Sequence, residues 1–267
     1  MQYSSPKNPA IKEALRIRDN PDKGLFFIEG AHLVEAAVRS KASLIKVLFT
    51  RQFASSKEGG RLLGEVSSQD AKGKPAPKML EVSERIFQGL ADTETPQGIA
   101  AIVAYPQKKG KDLVYGPATF MVVCDGVRDP GNLGTIIRLA DAAGADAVAI
   151  TPGTCSPFNQ KAIRSTAGSL FNVPLLFTPP EELAATLRKN KVSLYIADSH
   201  ATVSVFETNF KGPFALVFGN EGMGTGEVMK SNADKSIRIP LRGRAESLNV
   251  AAAAAICIYE AVRQRIS

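Results

Sequence analysis

Three glycine-rich stretches carry most of the side chains that could do chemistry. The first runs Asp125-Gly-Val-Arg-Asp-Pro-Gly-Asn-Leu-Gly-Thr-Ile-Ile-Arg138. Gly131 and Gly134 allow a tight turn or a close approach to a ligand. Arg138, one turn into the helix expected from Thr135 to Ala143, can reach back over the turn. The second, Phe218-Gly-Asn-Glu-Gly-Met-Gly-Thr-Gly226, has four glycines in eight residues after its Phe. Such backbone can lie against a flat or bulky ligand, while Glu221 can accept hydrogen bonds or orient a cation such as Arg138. The third, Ile237 to Ile258, passes Pro240 into a basic turn holding Arg242 and Arg244. Glu246-Ser247-Leu248-Asn249 then opens an alanine-rich helix. Ser247 is its expected N-cap, and free N–H groups at such a start can hold a polar ligand. Singly, each stretch also reads as a capped turn with solvated charges. Three of them at the strand ends of one sheet point to a ligand site.

The elements that would position these turns fall into two groups. Residues 1–105 read as a compact α/β unit with helices over 9–18, 31–40 and 83–88 and strands over 25–28, 44–49 and 98–104. Asn20 to Gly24 is a turn cluster. Residues 54–78 are polar and lysine- and glycine-rich, helical at most around Arg61 to Val66, with Lys72 to Lys78 mobile. Pro106-Gln-Lys-Lys-Gly-Lys111 is a hydrophilic hinge closed by Pro117, which makes 106–117 a linker. From 118 to 267, strands at 120–124, 147–150, 173–177, 194–197 and 214–218 alternate with helices. Nearly continuous apolar strands between helices predict a parallel sheet covered on both faces. Ligands then gather at strand C-termini.

The net charge is +7 and the pI about 9.3, which favours an anionic partner, most simply nucleic acid. Residues 1–105 hold 15 Lys and Arg against 12 Asp and Glu, and Lys108, Lys109 and Lys111 add three more cations. A gripping module ahead of a near-neutral chemical module is the expected division. Cys124, Cys155 and Cys257 are scattered, and there are two histidines. No zinc site or disulfide framework is expected, and a reducing cytoplasm is the expected location. No apolar run approaches the roughly 18 residues of a membrane span, and the N-terminus lacks a signal-peptide core. The glycine spacing does not fit G-x-G-x-x-G, and Thr151-Pro152 stands where a ribose-binding acid belongs, which argues against a dinucleotide oxidoreductase. No phosphate-binding G-x-x-x-x-G-K-[ST] loop is present.

Asn132-x-Gly134-x-x-x-Arg138, Phe218-Gly-Asn-Glu-Gly222 and Ile239-Pro-Leu-x-Gly-x-x-Glu-Ser-Leu-Asn-Val250 resemble, in order and spacing, the three motifs of the SpoU/TrmH family. These are RNA 2′-O-ribose methyltransferases of the SPOUT superfamily. Phe27-Ile-Glu-Gly30 and Thr95-Pro-Gln-Gly-Ile99 are similar to the family's N-terminal substrate-binding domain. The resemblance implies a parallel-sheet α/β catalytic domain with a C-terminal trefoil knot, an exception to the usual unknotted chain. It also implies S-adenosyl-L-methionine as cofactor and a homodimer with the site near the subunit interface. Cofactor positions fall on Gly219, Ile239 and Leu248, and catalytic positions on Asn132, Arg138, Glu221, Ser247 and Asn249.

The implied reaction moves a methyl group to a ribose 2′-hydroxyl, most simply of 23S-type large-subunit ribosomal RNA. Transfer RNA is the alternative substrate, and a non-catalytic RNA-binding protein the rival class. The family assigns the Arg138 position as base. A guanidinium with a pKa above about 12 stays charged, so clamping a phosphate and steadying a developing alkoxide is the more comfortable role. Arg16, Arg18, Lys46, Arg51 and Arg61 are candidate RNA contacts of the N-terminal unit. Lys161 and Arg164 are candidates beside the catalytic sheet.

Overall fold

The computed structural model describes residues 3, 5, 7–21, 24–68, 75–105, 108 and 112–266. The chain divides into two compact units, Met1–Pro106 and Gln107–Ser267. Asp22 and Lys23 of the predicted turn, Lys72 to Lys74 of the segment expected to be mobile, and most of the hinge from 106 to 111 lie outside the described residues.

In the first unit, α1 (Pro9–Asp19), β1 (Leu25–Glu29), α2 (Ala31–Arg39), β2 (Ser43–Thr50), α3 (Arg51–Ser55), α4 (Lys57–Ser67), β3 (Lys78–Val82), α5 (Glu84–Leu90) and β4 (Ile99–Ala104) follow in order. The sheet order is β1-β4-β2-β3, with β4 antiparallel to both neighbours and β2 parallel to β3. Ile11, Ile17, Phe27, Leu48, Leu80 and Phe87 are among the side chains of its core. The polar stretch after β2 is more ordered than its composition predicts. Three glycines lower helix propensity across α4, but Ser56 Oγ caps it by accepting from Gly59 N–H at 2.9 Å, and Leu62 and Val66 are buried.

The second unit contains β5 (Phe120–Asp125), α6 (Pro130–Ala142), β6 (Ala147–Ile150), α7 (Gln160–Thr166), β7 (Leu175–Phe177), α8 (Pro180–Lys189), β8 (Ser193–Ala197), β9 (Val203–Ser204), β10 (Phe214–Gly219), α9 (Glu227–Asn232), β11 (Lys235–Arg238) and α10 (Val250–Ile266). Seven strands run β7-β6-β5-β10-β8-β11-β9, and every pairing is parallel. Burial of every residue of β5, β6 and β10 is what a sheet covered on both faces requires. Lys108, from the predicted hinge, is anchored at the sheet edge, where its carbonyl accepts from Phe177 N–H at 2.9 Å.

Two helix starts differ from expectation, and both bear on the site. The first begins at Pro130, five residues before the predicted Thr135. Asp129 accepts from Asn132 N–H at 2.8 Å, and Pro130 occupies the first turn, where its missing N–H costs nothing. Asn132 and Gly134 are therefore helical. A Cβ on Gly134 would lie 2.4 Å from the Ala162 carbonyl oxygen, so this glycine lets α6 and α7 pack closely. The last helix begins at Val250, and its cap is Asn249. The Asn249 Oδ1 accepts from Ala251 N–H at 2.9 Å and from Ala252 N–H at 3.3 Å. Ser247, the predicted cap, stands two residues ahead and exposed.

Candidate active site

Residues at the carboxyl ends of β8, β10 and β11, with the start of α10, line a cavity of about 640 Å³. Ligands gather at this end of a parallel sheet. Its floor is the turn after β10, held by hydrogen bonds at both ends. Asn220 and Gly224 exchange two backbone bonds of 2.9 Å each, and Gly224 supplies the positive φ (72°) that closes the turn. Asn220 Oδ1 accepts from Gly222 and Met223 N–H, and its Nδ2 donates to the Gly126 carbonyl, all at 2.9 Å. At the far end Asp125 accepts from Gly226 N–H at 2.7 Å and from the Thr151 hydroxyl at 2.6 Å. Gly219 lies where no side chain fits. A Cβ there would be 2.3 Å from Thr225 N and 2.4 Å from Gly224 C.

A second set of bonds joins all three stretches. Asn249 Nδ2 donates to Asn132 Oδ1 at 3.0 Å, and Asn132 Nδ2 donates to Glu221 Oε1 at 2.9 Å. Glu221 also accepts from the backbone N–H groups of Arg128 and Asp129, both at 3.1 Å. Burial works to raise the Glu221 carboxyl, but the donors on Asn132, Arg128, Glu221 itself and Asp129 outweigh it and leave the pKa below the ordinary glutamate value. Glu221 therefore accepts hydrogen bonds and fixes the β5–α6 turn, the first of the two roles expected from sequence, and does not pair with Arg138. Arg138 is exposed and makes no hydrogen bond or ion pair among the described residues.

Gly219, Glu221, Ile239, Ser247, Leu248 and Asn249 all line the cavity. Cys257 lines it as a protonated thiol, since burial pushes its pKa to about 12. Asn220 and Asp125 were not among the residues singled out from sequence. The signal for Asp125 was available, as it is an acid ending an apolar strand. Among the described residues no group of three or more His, Cys, Asp or Glu could hold a metal ion, and no helix is long and apolar enough to cross a membrane.

Several cations expected to meet RNA have partners within the chain, Arg18 and Lys46 largely covered and Lys161 and Arg61 on the surface. Lys161 pairs with Asp129 at 2.6 Å, which draws the Asp129 carboxyl below its ordinary pKa, helped by the Asn132 N–H. Arg18 donates to the carbonyls of Gly89, Leu90 and Ala91 at the end of α5. Lys46 pairs with Glu13 and is only 15 % exposed. Arg61 bridges Glu35 and Glu65 at 2.8 and 2.6 Å. Arg16, Arg51 and Arg164 are exposed.

A parallel α/β sheet with a cavity at its strand ends defines a domain of the class that takes ligands at that edge. The SpoU rRNA methylase family profile matches residues 119–259, and that of the MRM3-like substrate binding domain matches residues 8–101. The chain is similar to the 23S rRNA (guanosine(2553)-2'-O)-methyltransferase RlmP of Bacillus subtilis, at 34% identity over 97% of this chain and 98% of that protein. Its structure is similar to that of an AdoMet-bound rRNA methyltransferase from Sinorhizobium meliloti (TM-score 0.87, 28% identity, 100% and 99% of the two chains). It is also similar to the SpoU methyltransferase AviRb from Streptomyces viridochromogenes in complex with AdoMet (TM-score 0.87, 28% identity, 98% and 99%). The chain belongs to the SpoU rRNA methylase family.

Proposed function

We propose that this protein transfers a methyl group from S-adenosyl-L-methionine to a ribose 2′-hydroxyl of large-subunit ribosomal RNA. The observation that carries the reading is the cavity floored by Gly219 and bordered by the Glu221–Asn132–Asn249 chain of hydrogen bonds. The residues present fit the cofactor. Gly219, Ile239 and Leu248 line the cavity, the last two offering apolar contact, and the volume suits a ligand of this size. Bound S-adenosylmethionine supplies an electrophilic methyl on a sulfonium.

The protein's own groups position the other reactant. Arg138, unpartnered among the described residues, clamps an RNA phosphate through its fork and steadies negative charge on the 2′-oxygen. Glu221, Asn132 and Asn249 hold the turns, and Ser247 faces the nucleotide from the exposed segment. Holding reactants in line supplies much of the rate.

The rest of the chain is assigned on the same reading. Residues 1–105 form the RNA substrate-binding domain, 106–117 the linker and 118–267 the methyltransferase domain. Arg16 and Arg164, both exposed, remain candidates for RNA contact. Lys161, which pairs with Asp129 on the exposed surface, is a further candidate, while Arg18 and Lys46 are largely covered. Insertion of β10 and β11 on either side of β8, with α10 returning against α6, supports a trefoil knot. The outward face of α10, with Ile256 and Tyr259 exposed, supports a homodimer. A reducing cytoplasm suits three unpaired cysteines.

The test is transfer of labelled methyl from S-adenosylmethionine to purified large-subunit rRNA and to tRNA, followed by alkaline hydrolysis. Alkali cleaves through the 2′-hydroxyl, so a 2′-O-methyl leaves an uncut dinucleotide. Label in such dinucleotides from rRNA is expected. Label confined to tRNA, or found in mononucleotides, overturns the reading.

A further inference from the structure

Among the described residues, one buried side-chain polar atom has no hydrogen-bond partner: the Oγ1 of Thr225. Buried hydroxyls are ordinarily satisfied. Thr50, Thr119, Thr151, Thr166 and Thr208 are all buried and all bonded. Thr225 is 5 % exposed and forms part of the cavity wall. Its backbone N stands 2.3 Å from where a Cβ on Gly219 would be, so Thr225 and Gly219 pack against each other in the cavity wall. The backbone on either side is fixed, by the Asn220–Gly224 pair before it and the Gly226–Asp125 bond after it. The side-chain torsion is the freedom left. Valine would fill the same volume without an unsatisfied hydroxyl.

We propose that Thr225 is a specificity-determining contact for the nucleoside end of S-adenosylmethionine. Its hydroxyl is shielded in the structure. A turn about χ1 to another staggered well would free it for a polar group of a nucleoside bound in the cavity that Thr225 lines. A threonine hydroxyl serves either as donor or as acceptor. The proposal rests on the cofactor reading above, and its test separates the two.

The experiment is calorimetric titration of S-adenosylhomocysteine and of 5′-methylthioadenosine, which lacks the amino-acid end, into the full-length wild type, Thr225→Val and Thr225→Ser. Melting of each protein without ligand is measured alongside. Thr225→Val is expected to bind both ligands about 3- to 10-fold more weakly, the worth of one hydrogen bond. Its melting temperature without ligand stays equal or rises, because an orphaned hydroxyl is gone. Thr225→Ser stays within about twofold of wild type, since it keeps the hydroxyl. Unchanged affinity of Thr225→Val for both ligands overturns the proposal. So does a loss seen with S-adenosylhomocysteine alone, which moves the contact to the amino-acid end, or a lowered melting temperature, which makes the hydroxyl structural. Failure of the wild type to bind either ligand removes the cofactor reading itself.

Discussion

The two turns that border the cavity are built in opposite ways. From Gly219 to Gly226 the chain is tied at nearly every step, by the Asn220–Gly224 pair, by Asn220 to Gly126, and by Gly226 to Asp125. From Leu241 to Leu248 every residue is exposed, and none makes a hydrogen bond or ion pair among the described residues. That second segment holds Arg242, Arg244, Glu246 and Ser247, and is secured only at its end, by Asn249 to Asn132. The contrast teaches a division of labour. On the proposed function, the turn after β10 is finished before the cofactor arrives, which lowers the ordering cost of binding. On the same proposal, the basic turn keeps its donors for a large anion.

The comparison breaks first at Gly219. Gly219→Ala forces a Cβ into backbone 2.3 Å away, so it is expected to cost roughly 1–3 kcal/mol in denaturant melts and to abolish measurable S-adenosylmethionine binding. Normal binding by this variant would mean that the floor is not tight. Next comes Asp125→Ala, which strands the Gly226 N–H and leaves the Thr151 hydroxyl only its longer bond to the Cys124 carbonyl. A loss of about 2 kcal/mol is expected, with weaker cofactor binding. The single anchor of the basic segment gives less: Asn249→Ala removes a cap worth about 1 kcal/mol, and turnover should fall more than cofactor affinity. The smallest change in stability belongs to Arg242→Ala and Arg244→Ala, within about 0.5 kcal/mol. Their effect appears in RNA binding, as a salt slope lower by about one for each phosphate that is no longer neutralised.

A pH series sharpens the same contrast. The Glu221 pKa is depressed in the folded protein, so its carboxylate stabilises the β5–α6 turn at neutral pH. That contribution is fully present above the ordinary glutamate range and is lost as pH falls through the lower folded value. Wild type should lose stability across this acid window more steeply than Glu221→Gln. Equal acid limbs in the two proteins would show that the carboxylate does not hold the turn.

How far the sequence could be read follows the range of the forces involved. The parallel sheet was legible because β5, β6 and β10 are apolar along their whole length, and burial on both faces demands that. The helix starts at Pro130 and Val250 were misplaced because each depends on one cap. Asp129 and Asn249 were as visible as Ser247, but only the folded chain shows which side chain meets the N–H groups. The α4 helix was undervalued because its glycines argue locally against a helix that buried Leu62 and Val66 hold together. Within the site, the motifs marked Asn132, Glu221 and Asn249, but not their contacts. The bond from Asn249 to Asn132 spans 117 positions, and that from Asn132 to Glu221 spans 89. No spacing rule reaches so far. The commitment of Arg18 and Lys46 to internal partners was hidden for the same reason, since charge counts alone do not distinguish a paired cation from a waiting one.

The most direct test of this division is amide hydrogen exchange on the two turns, in the free protein, with S-adenosylmethionine, and with cofactor and rRNA together. Bonded amides exchange through local opening, and unbonded exposed ones do not need it. The amides of Asn220, Gly222, Met223, Gly224 and Gly226 are expected to be protected before any ligand is added. Residues 242–248 should exchange fast in the free protein and slow when cofactor and RNA are present. A glycine turn that exchanges as fast as the basic segment in the free protein, or a basic segment already protected there, would contradict this division.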